Sequence, residues 1–164
     1  CAFLDLDRHL GAVLHCGDAR VVAADSQGRV LFATRDHVLA DPGERTAAER
    51  RGCHIDSQGR VRAGDWTVQV PRALGSFTWR NAGIAPVADV SLFDPTDVAT
   101  LIVASDGLFD VFSNEDAALY VRSRQVFRPR ESASTIAAAL AHRAASMNST
   151  DDVSVALILL DYAR

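Results

Sequence analysis

Short apolar runs broken by polar turns fill the first third of the chain. Residues 2–6 and 10–15 read as two strands joined through Asp7 and Arg8, and residues 20–24 and 29–34 as two more around Asp25-Ser26-Gln27-Gly28. In such a turn glycine supplies positive φ while Asp and Ser bond neighbouring backbone. The spacing predicts an antiparallel meander. From Asp36 to about Arg62 the apolar period disappears, which predicts a surface excursion with one short helix over residues 42–51, stopped by Gly52. Strand-like runs return at 87–92 and 100–105, separated by the turn Asp94-Pro95-Thr96-Asp97. Two amphipathic helices follow. Ser113 caps the first, with Glu115 and Asp116 in its first turn, and Ile136, Leu140, Ala144 and Met147 line one face of the second. The closing run VSVALILL, residues 153–160, predicts a strand buried on both faces.

Strands followed by helices, without regular βαβ alternation, predict an α+β fold with antiparallel sheets. With 164 residues and no internal repeat or linker, a single domain over residues 1–164 is expected. The net charge of −4 argues against nucleic acid as a partner, since phosphate neutralisation needs a surplus of clustered Lys and Arg. No run approaches the roughly 20 apolar residues of a membrane span, and the first ten residues lack the pattern of a signal peptide. No membrane partner is therefore expected. Three cysteines without CxxC spacing suggest neither a disulfide framework nor a zinc site, which fits a reducing, intracellular setting such as the cytoplasm. The chain starts at Cys1 inside an alternating apolar pattern, so its beginning reads as cut from a longer protein.

Chemistry concentrates in acids at strand ends. In TLIVASDGLFDV an apolar strand delivers Asp106, followed by Gly107 and Asp110. A carboxylate at a buried strand end is costly without a cation or donor, which is why such acids often ligate Mg²⁺ or Mn²⁺. The plain alternative is an Asp-Gly turn with Asp110 capping the next helix. In NSTDDVSVALILL, Asp151 and Asp152 precede the last strand; in LHCGDARVV, Asp18 follows another. The first of these also reads as an ordinary polar loop. Five histidines show no HExxH spacing, and no GxSxG, P-loop or GxGxxG is present. Arginines cluster between 45 and 80, read here as a solvated face balanced by Glu44, Glu49, Asp56 and Asp65, with Arg72 in PRALGS the least ordinary of them.

Taken in order, CGDARVV, ATRDH, ERRGCHIDSQGRV, PRALGS, LIVASDGLFDV and STDDVSVALI resemble the successive motifs of the metal-dependent protein phosphatase family, type 2C, over nearly the whole chain. The resemblance implies a sandwich of two antiparallel sheets flanked by helices, incomplete here at its N-terminus. It implies hydrolysis of phosphoserine and phosphothreonine in proteins by a metal-activated water, with two or more Mg²⁺ or Mn²⁺ ions in the complete domain, a phosphorylated protein as substrate, and a monomer. Carried over by motif, Asp106 and Asp151 resemble ligands of the catalytic metal pair, Asp18 the acid of a further, weaker metal site, and Asp110 an acid beside that site. The metal-bridging DGHxG segment, the phosphate-binding Arg and the acid-base His have no match, so no catalytic residue is assigned and this stretch alone is expected to be inactive. Asp152 stands where the family has Asn, and Ser76 where it has Asp after the RALG stretch. The alternative is a pseudophosphatase that keeps the fold as a binding or regulatory module.

Overall fold

Each apolar run of the first third becomes a strand in the computed structural model, which describes residues 1–75 and 77–160: β1 (Ala2–Asp5), β2 (Leu10–His15), β3 (Arg20–Ala24) and β4 (Val30–Ala33). They form two hairpins in different sheets rather than one meander. β1 pairs with β2 and β3 with β4, but β2 and β3 do not pair. The β3–β4 turn works as its residues predict. Asp25 Oδ1 accepts the N–H groups of Gln27 (2.8 Å) and Arg29 (2.9 Å), and Gly28 takes φ +80°.

The chain divides into two compact units, the first comprising Cys1–Val13, Ala19–Thr34 and the residues from Ser91 onward. Strands β7 (Asp89–Phe93), β8 (Thr100–Ala104) and β9 (Val155–Leu159) complete two antiparallel sheets, ordered β1-β2-β7 and β4-β3-β8-β9. Val13, Val21, Ala23 and Leu101 fill one core together with Leu4, Phe32 and Phe93, so side chains of both sheets meet there. On the other face of the four-stranded sheet lie α4 (Asn114–Phe127) and α5 (Ala133–Ser146), packed through Val121, Ile136, Leu140 and Ala144 against Val22, Ile102 and Leu157. Both helices begin where capping chemistry puts them: the hydroxyls of Ser113 and Ser132 accept from the N–H groups of Asp116 and Thr135. Met147 does not join the apolar face. It caps the C-terminus of α5 and is 37% exposed.

The last strand also departs from expectation. β9 has β8 as its one neighbour among the described residues, and its side chains alternate. Val155, Leu157 and Leu159 turn onto the helix-side core, whereas Ser154, Ala156 and Ile158 are exposed. The uniform apolar run concealed a period of two, because its outward positions are apolar as well.

The second unit comprises Leu14–Asp18 and Arg35–Val90, and it is a packed body rather than a surface excursion. Helix α1 (Pro42–Arg50) starts at Asp41, whose Oδ1 accepts from Gly43 (2.7 Å) and Glu44 (3.1 Å). Strands β5 (Val61–Ala63) and β6 (Trp66–Val68) form a hairpin, followed by α2 (Phe77–Asn81). Leu39, Ala48, Cys53, Val61 and Ile84 make its core. Three-residue strands are too short to display a period, which is why the sequence pattern missed them.

Candidate metal centre

Two neighbouring strands of the first unit carry the principal acids. β8 ends at Ala104, Ser105 turns the chain, and α3 (Asp106–Phe109) begins at once on Asp106. On the adjacent strand, Asp151 and Asp152 lie in the loop that feeds β9, whose Val155 pairs with Ala104. Ser105 ties the two ends together. Its N–H donates to Ser154 C=O (3.0 Å), its hydroxyl donates to Asp152 C=O (2.9 Å), and the same oxygen accepts from Ser154 N–H (3.0 Å). Ser149 adds a bond from its hydroxyl to Gly107 C=O (2.7 Å).

Glycine at 107 answers to close approach as much as to turn formation. A Cβ there would lie 2.8 Å from Asp152 O and 3.4 Å from Asp151 C. The α3 backbone therefore sits against the 151–152 loop. Asp106 is half-buried and accepts the Gly107 N–H at 2.9 Å, Asp110 is exposed at the end of α3, and Asp151 is exposed and accepts the Asp152 N–H at 2.7 Å. Burial pushes the Asp106 carboxyl above its usual range, opposed by the Gly107 hydrogen bond, and the negative charges of Asp151 and Asp110 push it further. Two carboxylates thus sit close enough to Asp106 to oppose its ionisation. Hard carboxylate oxygens held against mutual repulsion fit Mg²⁺ or Mn²⁺ in kind. In number they fall short of a complete shell: among the described residues no group of three or more His, Cys, Asp or Glu side chains is arranged to hold a metal ion.

Asp18 lies in the second unit, in the turn after β2, and the other three acids lie in the first. Ser76 is outside the described residues. Arg72 is not part of a solvated face: it is largely buried and bonded to Glu44 (Nε to Oε2, 2.9 Å) and to Asp89 (Nη1 to Oδ1, 2.7 Å). Sequence reasoning treated His37 as an unremarkable histidine. It is 2% exposed and bonded to both Gly17 and Asp89. The available signal was its place in ATRDH beside an otherwise polar stretch, which alone gives no partner.

The profile of the protein phosphatase 2C family matches residues 6–153. Protein phosphatase 1L of Bos taurus is 33% identical over 119 residues, which is 68% of this chain and 32% of that protein. A sex-determining protein of C. elegans has a similar fold, with TM-score 0.79 and 23% identity over 95% of this chain and 38% of that one. A serine-threonine phosphatase 2C from Toxoplasma gondii does too, with TM-score 0.71 and 23% identity over 91% of this chain and 54% of that one. The chain thus spans about a third of the phosphatase 1L relative and between a third and three fifths of these solved structures. With the profile running across most of its length and its antiparallel sheets repeated in these structures, the chain belongs to the protein phosphatase 2C family.

Proposed function

We propose that the chain is the C-terminal portion of a metal-dependent protein serine/threonine phosphatase domain, with Asp106 and Asp151 as ligands of the catalytic metals, Asp18 as the acid of a further, weaker metal site, and Asp110 as an additional metal-associated acid four residues after Asp106. The observation that carries this reading is the pairing of strand ends. β8 and β9 deliver Asp106 and the Asp151 loop side by side, the Ser105 hydroxyl links them, and the chain forgoes a side chain at 107 to let them meet. Nothing in folding rewards bringing carboxylates together, so the repulsion is explained by a cation that both would hold.

Bound Mg²⁺ or Mn²⁺ would supply an activated water and neutralise phosphoryl oxygens. This chain's own part is to fix two hard ligands on rigid strand ends and to keep the Asp106 carboxylate oriented through the Gly107 N–H. It supplies no base or phosphate-binding arginine that matches the family motifs, so turnover is assigned to a longer protein that contains it. The test is Mn²⁺-dependent hydrolysis of a phosphothreonine peptide by the full-length protein, beside Asp106→Asn. Metal-dependent turnover that falls a hundredfold or so in the variant, the scale on which loss of one electrostatic group in an active site is felt, is expected. A folded wild-type protein with no turnover would instead make it a pseudophosphatase module.

A further inference from the structure

We infer that His37 is a positioning residue for the Asp18 turn, holding the Gly17 peptide with a neutral imidazole protonated on Nε2. The inference rests on the reading of Asp18 as a metal-binding carboxylate. Gly17 is gripped on both of its polar groups by one residue. The His37 main-chain N–H donates to Gly17 C=O (2.9 Å), and the Gly17 N–H donates to His37 Nδ1 (3.2 Å). A backbone N–H offers only a proton, so Nδ1 presents its lone pair and the ring proton sits on Nε2. Nε2 then donates to Asp89 Oδ2, 3.1 Å away.

The histidine is anchored from behind. Asp89 Oδ1 accepts from Arg72 Nη1 (2.7 Å), and Arg72 in turn is bonded to Glu44 on α1. Along Glu44, Arg72, Asp89, His37 and Gly17, Arg72 donates to both acids, His37 donates to Asp89 and accepts from Gly17, and the Arg72 charge faces its opposites. On its flat side the ring stacks on His15, centroids 4.2 Å apart. His15 Nε2 donates to Arg35 C=O (2.7 Å), while its Nδ1 is buried without a hydrogen-bond partner among the described residues. The two histidines therefore differ: one fills space with a polar atom unused, and the other spends both nitrogens on holding a neighbour.

The turn needs such a hold. Gly17 takes φ +102°, a conformation in which glycine gains no support from a side chain of its own, and it immediately precedes Asp18. Partners that orient a ligand-bearing segment without touching the metal are worth roughly 10–100-fold in metal affinity. His37 acts here through the Gly17 peptide.

The test separates holding from packing. His37→Leu keeps most of the volume and removes the acceptor; His37→Asn loses volume but places an amide oxygen near the position of Nδ1. The full-length protein that contains this chain is titrated with Mn²⁺ while amide hydrogen exchange is followed across residues 14–20, with Asp18→Asn as the control for binding at that acid. The expected result is tenfold or greater loss of Mn²⁺ affinity and fast Gly17 exchange in His37→Leu, with His37→Asn close to wild type. Wild-type affinity in His37→Leu, or the reverse ranking of the two variants, overturns the positioning role and leaves the metal reading intact. No Mn²⁺ effect around Asp18 in the wild type overturns the metal reading, and the positioning role with it. Should His37→Leu fail to fold, His37→Gln replaces it, since its amide reaches toward Asp89 and not Gly17. It is expected to lose affinity where His37→Asn does not, and equal behaviour of the two would overturn the role.

Discussion

At position 107 a single methyl group is the relevant quantity. Gly107→Ala would set a Cβ 2.8 Å from the Asp152 carbonyl oxygen, a backbone atom with no freedom to swing aside. The variant is expected to lose about 1–3 kcal/mol in urea denaturation, the usual cost of overpacking. Asp-Gly in the sequence reads equally well as a hairpin turn, and nothing local distinguishes the two meanings. The distinguishing contact comes from Asp151 and Asp152, more than forty positions later. Asp106 itself was legible, because an apolar run ended on it. The reach of His37 to Gly17 was not, because hydrogen-bond partners twenty residues apart leave no periodic trace.

Among the elements, α5 shows what a pattern can establish. Ile136, Leu140 and Ala144 recur every fourth residue and all three are buried, with Leu140 fully so. Leu140→Ala is expected to cost about 2–5 kcal/mol by cavity formation, read as a fall in the denaturant midpoint at unchanged slope. The α4 cap Ser113 was legible for a related reason, since its chemistry is confined to three residues, whereas Ser132 at the start of α5 was not singled out. β9 was misjudged in its burial and not in its existence: apolar composition identifies a strand but not whether it lies at a sheet edge. β5 and β6 went unseen because pairing across a tight hairpin, rather than side-chain period, defines them.

For the molecule as a whole, acid sensitivity is a sum over carboxylates of opposite sign. Asp89 is held below the usual carboxylate range by hydrogen bonds from Arg72 and then His37, and Asp94 by those of Thr96. Asp41 and Asp56 are held low by backbone N–H groups of Glu44 and Arg60 respectively. A carboxyl whose folded value is depressed contributes stability above its unfolded value, about pH 4, and loses it as pH falls through the folded one. Asp106 runs the other way: its raised value favours the folded state at low pH, and that contribution is lost as pH rises through it. Metal-free protein is therefore expected to weaken below about pH 4. Asp106→Asn is expected to be more stable than wild type at neutral pH, with the difference vanishing on acidification. Denaturation midpoints across the pH range check both, and a variant less stable than wild type at pH 7 would contradict the cost of burying the ionised Asp106 beside its acidic neighbours.

Ser105 has a longer reach than its size suggests. Its hydroxyl adds two bonds to the one its main-chain N–H makes with Ser154, donating to Asp152 and accepting from Ser154 just where the chain turns into α3. A short hydroxyl can do both within so small a span, whereas alanine can do neither. The residue thus couples the two acid-bearing ends although it carries no charge and is assigned no ligand. Removing that hydroxyl would loosen the registration of the two acids while leaving both acids in place.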